Sequence, residues 1–239
     1  MNELSAVASF FKGGGLFMYV ILGTGVVIAA IVVERFIVIG RAAAFNGKRM
    51  ADDLVRAIGS GDLHTARNIA VQSHAPAARV AQAILRAGGG DEARLQAAGD
   101  DAATLALPPL ARRLPHLQIL ANVATLLGLL GTIFGLTTAF SAVGAADPAQ
   151  RSAFLAAGIS QALNTTALGL IVAVPTLLLH GWLAGIVEGI SEQVDEMNIR
   201  VSQALAGASL RANVTALPQR GSAPQAAPQM VRRVAGAGN

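Results

Sequence analysis

The sequence predicts an all-α integral membrane protein: three transmembrane helices, long cytoplasmic extensions of helices two and three, and a small helical cytoplasmic region. Three observations lead there. Two uncharged stretches, Leu114 to Ala146 and Ser152 to Val187, are separated only by Asp147, Pro148, Ala149, Gln150 and Arg151, and each exceeds the roughly 20 apolar residues that cross a bilayer. A third apolar run, Gly13 to Val33, is long enough for one crossing and ends at the charge pair Glu34 and Arg35. The chain is 53% hydrophobic and 13% charged, against roughly 25% charged in soluble domains.

Residues 1–40 are expected to form an outer amino terminus and the first span, with Glu34 and Arg35 anchoring it at head-group level. Lys12 alone precedes the apolar run, which is longer than a secretory h-region, so it reads as a retained span and not a cleaved leader. Residues 41–113 are rich in Ala, Arg and Leu, with Leu54, Ile58, Leu85, Leu95 and Leu105 at helical spacing. Breaks at Gly59 to Gly61, Pro76 and Gly88 to Gly90 divide them into about four short helices. Residues 114–146 form the second span, 147–151 a periplasmic turn, and 152–205 the third span with its extension. Residues 206–239, rich in Ala, Gly, Pro and Gln, read as a disordered tail.

Charge sets the orientation. Arg41, Lys48, Arg49, Arg56, Arg67, Arg79, Arg86, Arg94, Arg112 and Arg113 fall between the first two spans, and Arg200, Arg211, Arg220, Arg232 and Arg233 follow the third. The other side holds only Lys12 and Arg151. Positive residues stay on the cytoplasmic side, so the amino terminus is expected outside and the carboxyl terminus inside. Trp182 reads as an interface anchor.

Several chemistries are disfavoured. There is no cysteine, and His64, His74, His116 and His180 show no metal-ligand spacing. Gly88, Gly89 and Gly90 before Asp91 read as a helix stop and a new start, not a phosphate loop. The net charge of +4 comes with eight Phe, one Trp and one Tyr, not clustered with the basic residues, which argues against nucleic acid. No enzyme activity, metal or cofactor is expected.

The hairpin carries the most information. Ala121, Thr125, Gly128, Thr132, Gly135, Thr138 or Ala139, and Ala142 recur every three to four residues, giving one small and hydroxylated face. The third span repeats the design with Gly158, Ala162, Thr165, Thr166, Gly169 and Ala173. Small residues let helices approach closely in lipid, so Gly128, Gly131, Gly135 and Gly169 are expected to pack helices. Pro175 is expected to bend the third helix where a bundle tolerates its missing hydrogen bond. Gln161, Asn164, Thr165 and Thr166 cluster inside a span, where polar groups avoid lipid. Thr132 matches them in depth, and the five are expected to ring a polar cavity. A threonine can also bond back to its own helix, which leaves a packing role open.

Leu126 to Phe140, LLGLLGTIFGLTTAF, and Gly158 to Pro175, GISQALNTTALGLIVAVP, resemble the two hallmark motifs of the MotA/TolQ/ExbB proton-channel family, most nearly ExbB and TolQ; the Glu34, Arg35, Phe36 exit is similar as well. The resemblance implies a homopentamer in the bacterial inner membrane, enclosing two single-span partners similar to ExbD or TolR and acting with a TonB/TolA-like protein. Ion flow would be coupled to mechanical work, with Thr132 and Thr166 at the pore-threonine positions. One departure matters: many relatives carry glutamate where this chain has Gln161, and neither apolar stretch contains Asp or Glu. Hydroxyls and amides hold water or a cation but do not store a proton at neutral pH. The carboxylate is therefore expected from the partner's span, and proton and sodium both remain open. A MotA-like flagellar stator, which normally has four spans, and a non-conducting scaffold are the alternatives.

Overall fold

A computed structural model describes residues 10, 11 and 13–216, with side chains as far as Arg211. Among the described residues the chain is all-helical, with helices α1 (Gly15–Ala43), α2 (Gly47–Gly59), α3 (Leu63–Val71), α4 (Pro76–Ala87), α5 (Glu92–Ala106), α6 (Pro108–Ala111), α7 (Leu114–Ala145) and α8 (Arg151–Ala216). The apolar lengths of α1, α7 and α8 suffice for three membrane crossings.

Local chemistry sets the boundaries. Asn46 caps α2 by accepting from the Arg49 amide at 3.1 Å, and Asp62 caps α3 by accepting from the Thr65 amide at 2.9 Å. Pro76 starts α4, where its missing N–H costs nothing. Gly88, at φ 77°, ends that helix in a conformation that side chains avoid. The four helices between the first two long ones thus break at the glycines and proline, and the one-turn α6, opened by Pro108 and Pro109, is an addition that the sequence reading lacked.

Two boundaries differ from expectation. Helix α1 continues through Glu34 and Arg35 to Ala43, because nothing in Phe36 to Arg41 stops a helix; the charge pair lies mid-helix. Helix α8 continues past residue 205 to Ala216. Leu205 and Ala206 are buried against the short helices, and that burial outweighs the low-complexity character that suggested a disordered tail from 206. The rest of the expected tail, residues 217–239, lies outside the described residues.

The α7 and α8 helices form an antiparallel hairpin. Its seam is made of Ala121, Ala124, Gly128, Gly131, Gly135 and Ala139 on α7, against Gly158, Ala162, Thr165, Gly169 and Ala173 on α8. The approach is close enough that a Cβ on Gly169 would lie 2.8 Å from the Ala124 carbonyl oxygen, and one on Gly135 would lie 3.1 Å from the Ala162 nitrogen. Lipid supplies no hydrophobic force between helices, so close packing of this kind is what holds them. Helix α1 packs along one flank of the hairpin, through Met18 and Ile21 on Leu168 and, further along, Ile28 and Ile39 with Leu117 and Leu183.

At about 1.5 Å per residue, the 66-residue α8 is about 99 Å long, roughly twice α7 with its 32 residues. Helices α2 to α5 wrap its far half. Leu54, Ile58, Val80, Ile84 and Leu95 meet Val194, Met197, Val201 and Leu205 in one core. Leu105, one of the leucines at helical spacing, is 77% exposed, because the phase of α5 set by Leu95 turns it outward. Polar ties fix the register: Gln193 Oε1 accepts from the Gly47 amide at 3.2 Å, Arg200 pairs with Asp52 and Glu196, and Asn198 Nδ2 donates to Asp100 at 2.7 Å.

Replacing Gly135 with valine is expected to cost about 1–3 kcal/mol through overpacking against backbone, seen as a lower thermal midpoint in detergent. Gly23→Ala, where an added Cβ meets nothing within 4 Å, should leave the midpoint unchanged or raised. A second expectation concerns Asp62. The Thr65 hydroxyl and then the Thr65 amide hold its carboxyl below the ordinary aspartate value. A lowered folded pKa contributes stability that is complete above the unfolded value and is lost as pH falls through the folded one. The protection of amides at the start of α3, taken relative to their intrinsic exchange rates, should therefore fall only in acid, and Asp62→Asn should abolish that dependence.

Candidate functional site

The polar residues of the hairpin do not share one face. At 100° per residue, Thr125, Thr132 and Thr166 fall on the flank of the seam opposite α1, whereas Thr138, Gln161 and Asn164 fall on the flank that α1 covers. The contacts agree with this division. A Cβ on Gly15 would lie 2.3 Å from Gln161 Nε2, and one on Gly13 would lie 3.2 Å from Asn164 Nδ2, so both amides rest against the start of α1. On the same flank Phe17 meets Phe134 edge-on, with ring centres 5.4 Å apart. Thr165 belongs to neither flank. It is 1% exposed, fills the seam opposite Gly131, and its hydroxyl donates to the Gln161 and Ala162 carbonyls at 2.9 Å.

Within one subunit, then, the five residues expected to ring a polar cavity separate into a threonine pair, an amide pair and a packing threonine. Spacing along a helix gives depth, whereas the flank each residue occupies depends on which face becomes the seam. The small face expected on α7 shifts for the same reason. Ala124 and Gly131 replace Thr125 and Thr132 in the seam, because the glycine and alanine positions alone permit the close approach.

Thr132 and Thr166 stay together. The seam pairs Gly131 with Thr165 and Gly128 with Thr166, which sets the two within about one turn of each other along the hairpin. Both are half-buried. The Thr166 hydroxyl donates across the seam to the Gly128 carbonyl at 3.0 Å, and the Thr132 hydroxyl donates to the Leu129 carbonyl at 2.6 Å. Each hydroxyl oxygen keeps lone pairs for a water or a cation. Thr125 joins this flank two turns from Thr132, its hydroxyl donating to the Ala121 carbonyl at 3.2 Å.

On the α1 flank, Gln161, Ser160, Thr138 and Phe154 border a cavity of about 390 Å³. Pro175 lies inside the continuous α8, and Thr176, 3% exposed, donates to the Val172 carbonyl at 2.6 Å beside it. The exposed ring of Trp182 stacks on Phe36, centre to centre 5.8 Å and 26° from parallel.

Arg35, expected with Glu34 to anchor the first span, is held by protein groups. It is 6% exposed, and its guanidinium donates to the Pro109 carbonyl at 3.0 Å and to Glu34 at 2.8 Å, while the other Glu34 oxygen meets Arg113. This network ties α1 to α6 and to the start of α7. The length of the α1 helix beyond residue 34 was the missing signal.

A three-helix membrane arrangement with a small-residue hairpin, a threonine pair and no carboxylate along α7 defines a class, and comparison with known proteins supplies the family. Residues 72–196 match the MotA/TolQ/ExbB proton channel family, and the chain belongs to that family; it is a membrane protein. A putative biopolymer transport protein ExbB-like 3 from Synechocystis sp. is 30% identical over 166 residues, covering 69% of this chain and 79% of its own length. A putative biopolymer transport protein ExbB homolog from Methanothermobacter thermautotrophicus is 25% identical over 200 residues, 83% of this chain and 69% of its own. The Tol-Pal system protein TolQ of Haemophilus influenzae is 37% identical over 75 residues, covering 31% of this chain and 32% of its own.

Replacing Arg35 with leucine removes charged hydrogen bonds to the Pro109 and Leu110 carbonyls and leaves Glu34 one partner fewer. The expected cost is about 2 kcal/mol, measured as a lower unfolding midpoint together with faster proteolysis between Pro108 and Arg113.

Proposed function

We propose that this chain is the ion-conducting subunit of an inner-membrane motor that couples proton or sodium motive force to mechanical work through a single-span, ExbD/TolR-like partner. The observation that carries the reading is the threonine pair: Thr132 and Thr166 sit at matching depth on the hairpin flank that α1 leaves uncovered, each with acceptor capacity free. In a homopentamer these flanks turn inward and line the pore. Helix α1 then lies on the outside, the amino terminus and the 147–151 turn face the periplasm, and the short helices with the far half of α8 are cytoplasmic.

The chain's own residues give this pore a defined task. Thr132 and Thr166 hold water or a partly dehydrated cation, and the glycine seam keeps the two helices at fixed separation. Gln161 and Asn164 bind the start of α1 and so position the outer end of the hairpin. No residue from Leu114 to Ala146 or from Ser152 to Val187 can release a proton as Asp or Glu does. A titrating carboxylate therefore comes from the partner's span. The family assignment supports channel and motor work over enzyme catalysis.

The test is ion flux into liposomes holding this protein with and without the single-span partner, under separate proton and sodium gradients. Flux should require the partner and stop when its membrane aspartate becomes asparagine. Thr166→Val should lower flux at least tenfold, while Thr166→Ser, which keeps the hydroxyl, retains it. Both should unfold within about 1 kcal/mol of the parent, since an interhelical hydrogen bond in lipid contributes about that or less.

One observation favours a second reading, a non-conducting scaffold. Every hydroxyl on the Thr132 flank already donates to a backbone carbonyl, as a packing threonine does. Equal flux in Thr166→Val and the parent would support that reading.

A further inference from the structure

The carboxyl end of α1, the Ser73 to Pro76 connection and α6 enclose a cavity of about 520 Å³. Its lining is mixed in chemistry. Val38, Phe45 and Leu110 supply apolar lining, and Arg41, His74 and Arg79 supply polar and charged lining. No Asp or Glu lines it, and among the described residues neither Arg41 nor Arg79 pairs with a carboxylate. Both arginines are exposed. The apolar lining is held in place, because the buried Arg35 guanidinium donates to the Pro109 and Leu110 carbonyls that border it.

We propose that this cavity binds the head group of an anionic phospholipid. Arg41 follows Arg35 by about 9 Å along α1, just past the apolar part of the first span, which is where a lipid phosphate sits. Two guanidinium groups present planar forks that match phosphate oxygens. The apolar lining receives the glycerol and the start of an acyl chain, which a free anion would leave empty. Basic pockets between helices on the cytoplasmic side are a recurrent form of lipid recognition. The leaflet rests on the orientation given under Proposed function, with the short helices cytoplasmic; the lipid class does not.

The full chain in detergent, stripped of lipid and titrated with phosphatidylglycerol or phosphatidylcholine under native mass spectrometry, tests this. Phosphatidylglycerol should bind in preference to phosphatidylcholine. Arg41→Gln and Arg79→Gln should each weaken it about fivefold, and the pair about 25-fold, from roughly 1 kcal/mol per charge. Arg41→Lys with Arg79→Lys, which keeps both charges, should retain binding within a few fold, and Arg151→Gln on the far turn should change nothing. Unaltered binding in the double glutamine variant, equal binding of phosphatidylcholine, or complete displacement by millimolar inorganic phosphate would overturn the lipid site. The leaflet is read separately. The chain has no cysteine, so Gln72→Cys is a single reporter; modification by an impermeant maleimide in inside-out vesicles only supports the cytoplasmic leaflet. Modification in right-side-out vesicles overturns the orientation, whatever the lipid selectivity.

Discussion

The close contact between α7 and α8 is the constraint on which the rest depends. In lipid the two helices gain nothing by hiding apolar side chains from each other, so they hold together through backbone proximity. That proximity requires glycine or alanine at every seam position except the one Thr165 fills opposite Gly131, and Gly169 within contact distance of the Ala124 carbonyl shows how little space remains. Once the seam is fixed, the phase of every other residue follows. Thr132 and Thr166 emerge together on one side, Gln161 and Asn164 on the other, and α1 takes the side where Leu168 and Leu127 offer Met18 and Ile21 an apolar bed.

Much of this was legible in the sequence. The long uncharged stretches mark the hairpin because no soluble fold hides so many apolar residues in succession, and the glycines and Pro76 between residues 47 and 107 punctuate the short helices. The small residues of α7 announce close packing. What the sequence did not convey was which of two adjacent small faces becomes the seam. Thr125 and Thr132 are small enough to compete with Ala124 and Gly131, and only the facing helix decides. Likewise the continuation of α8 to Ala216 depends on partners distant in the chain, since Leu205 and Ala206 are helical in order to cover α4 and its neighbours.

The division of the polar residues changes the meaning of Gln161. Read by depth alone it belongs with the threonines; read with phase it belongs with α1, its amide lying over Gly15, which has φ 69°. A glutamate there would place its charge at the positive end of the α1 dipole, an attraction that the neutral glutamine gives up.

Helix α8 has no break between Arg151 and Ala216. Thr166, beside Gly128 in the hairpin, and Arg200, clasped by Asp52 and Glu196, are about 51 Å apart on the same helix. Helical hydrogen bonds resist twisting, and Pro175 interrupts only one of them. A rotation imposed at either end therefore arrives at the other as torque on a shaft, with the short-helix bundle as its collar.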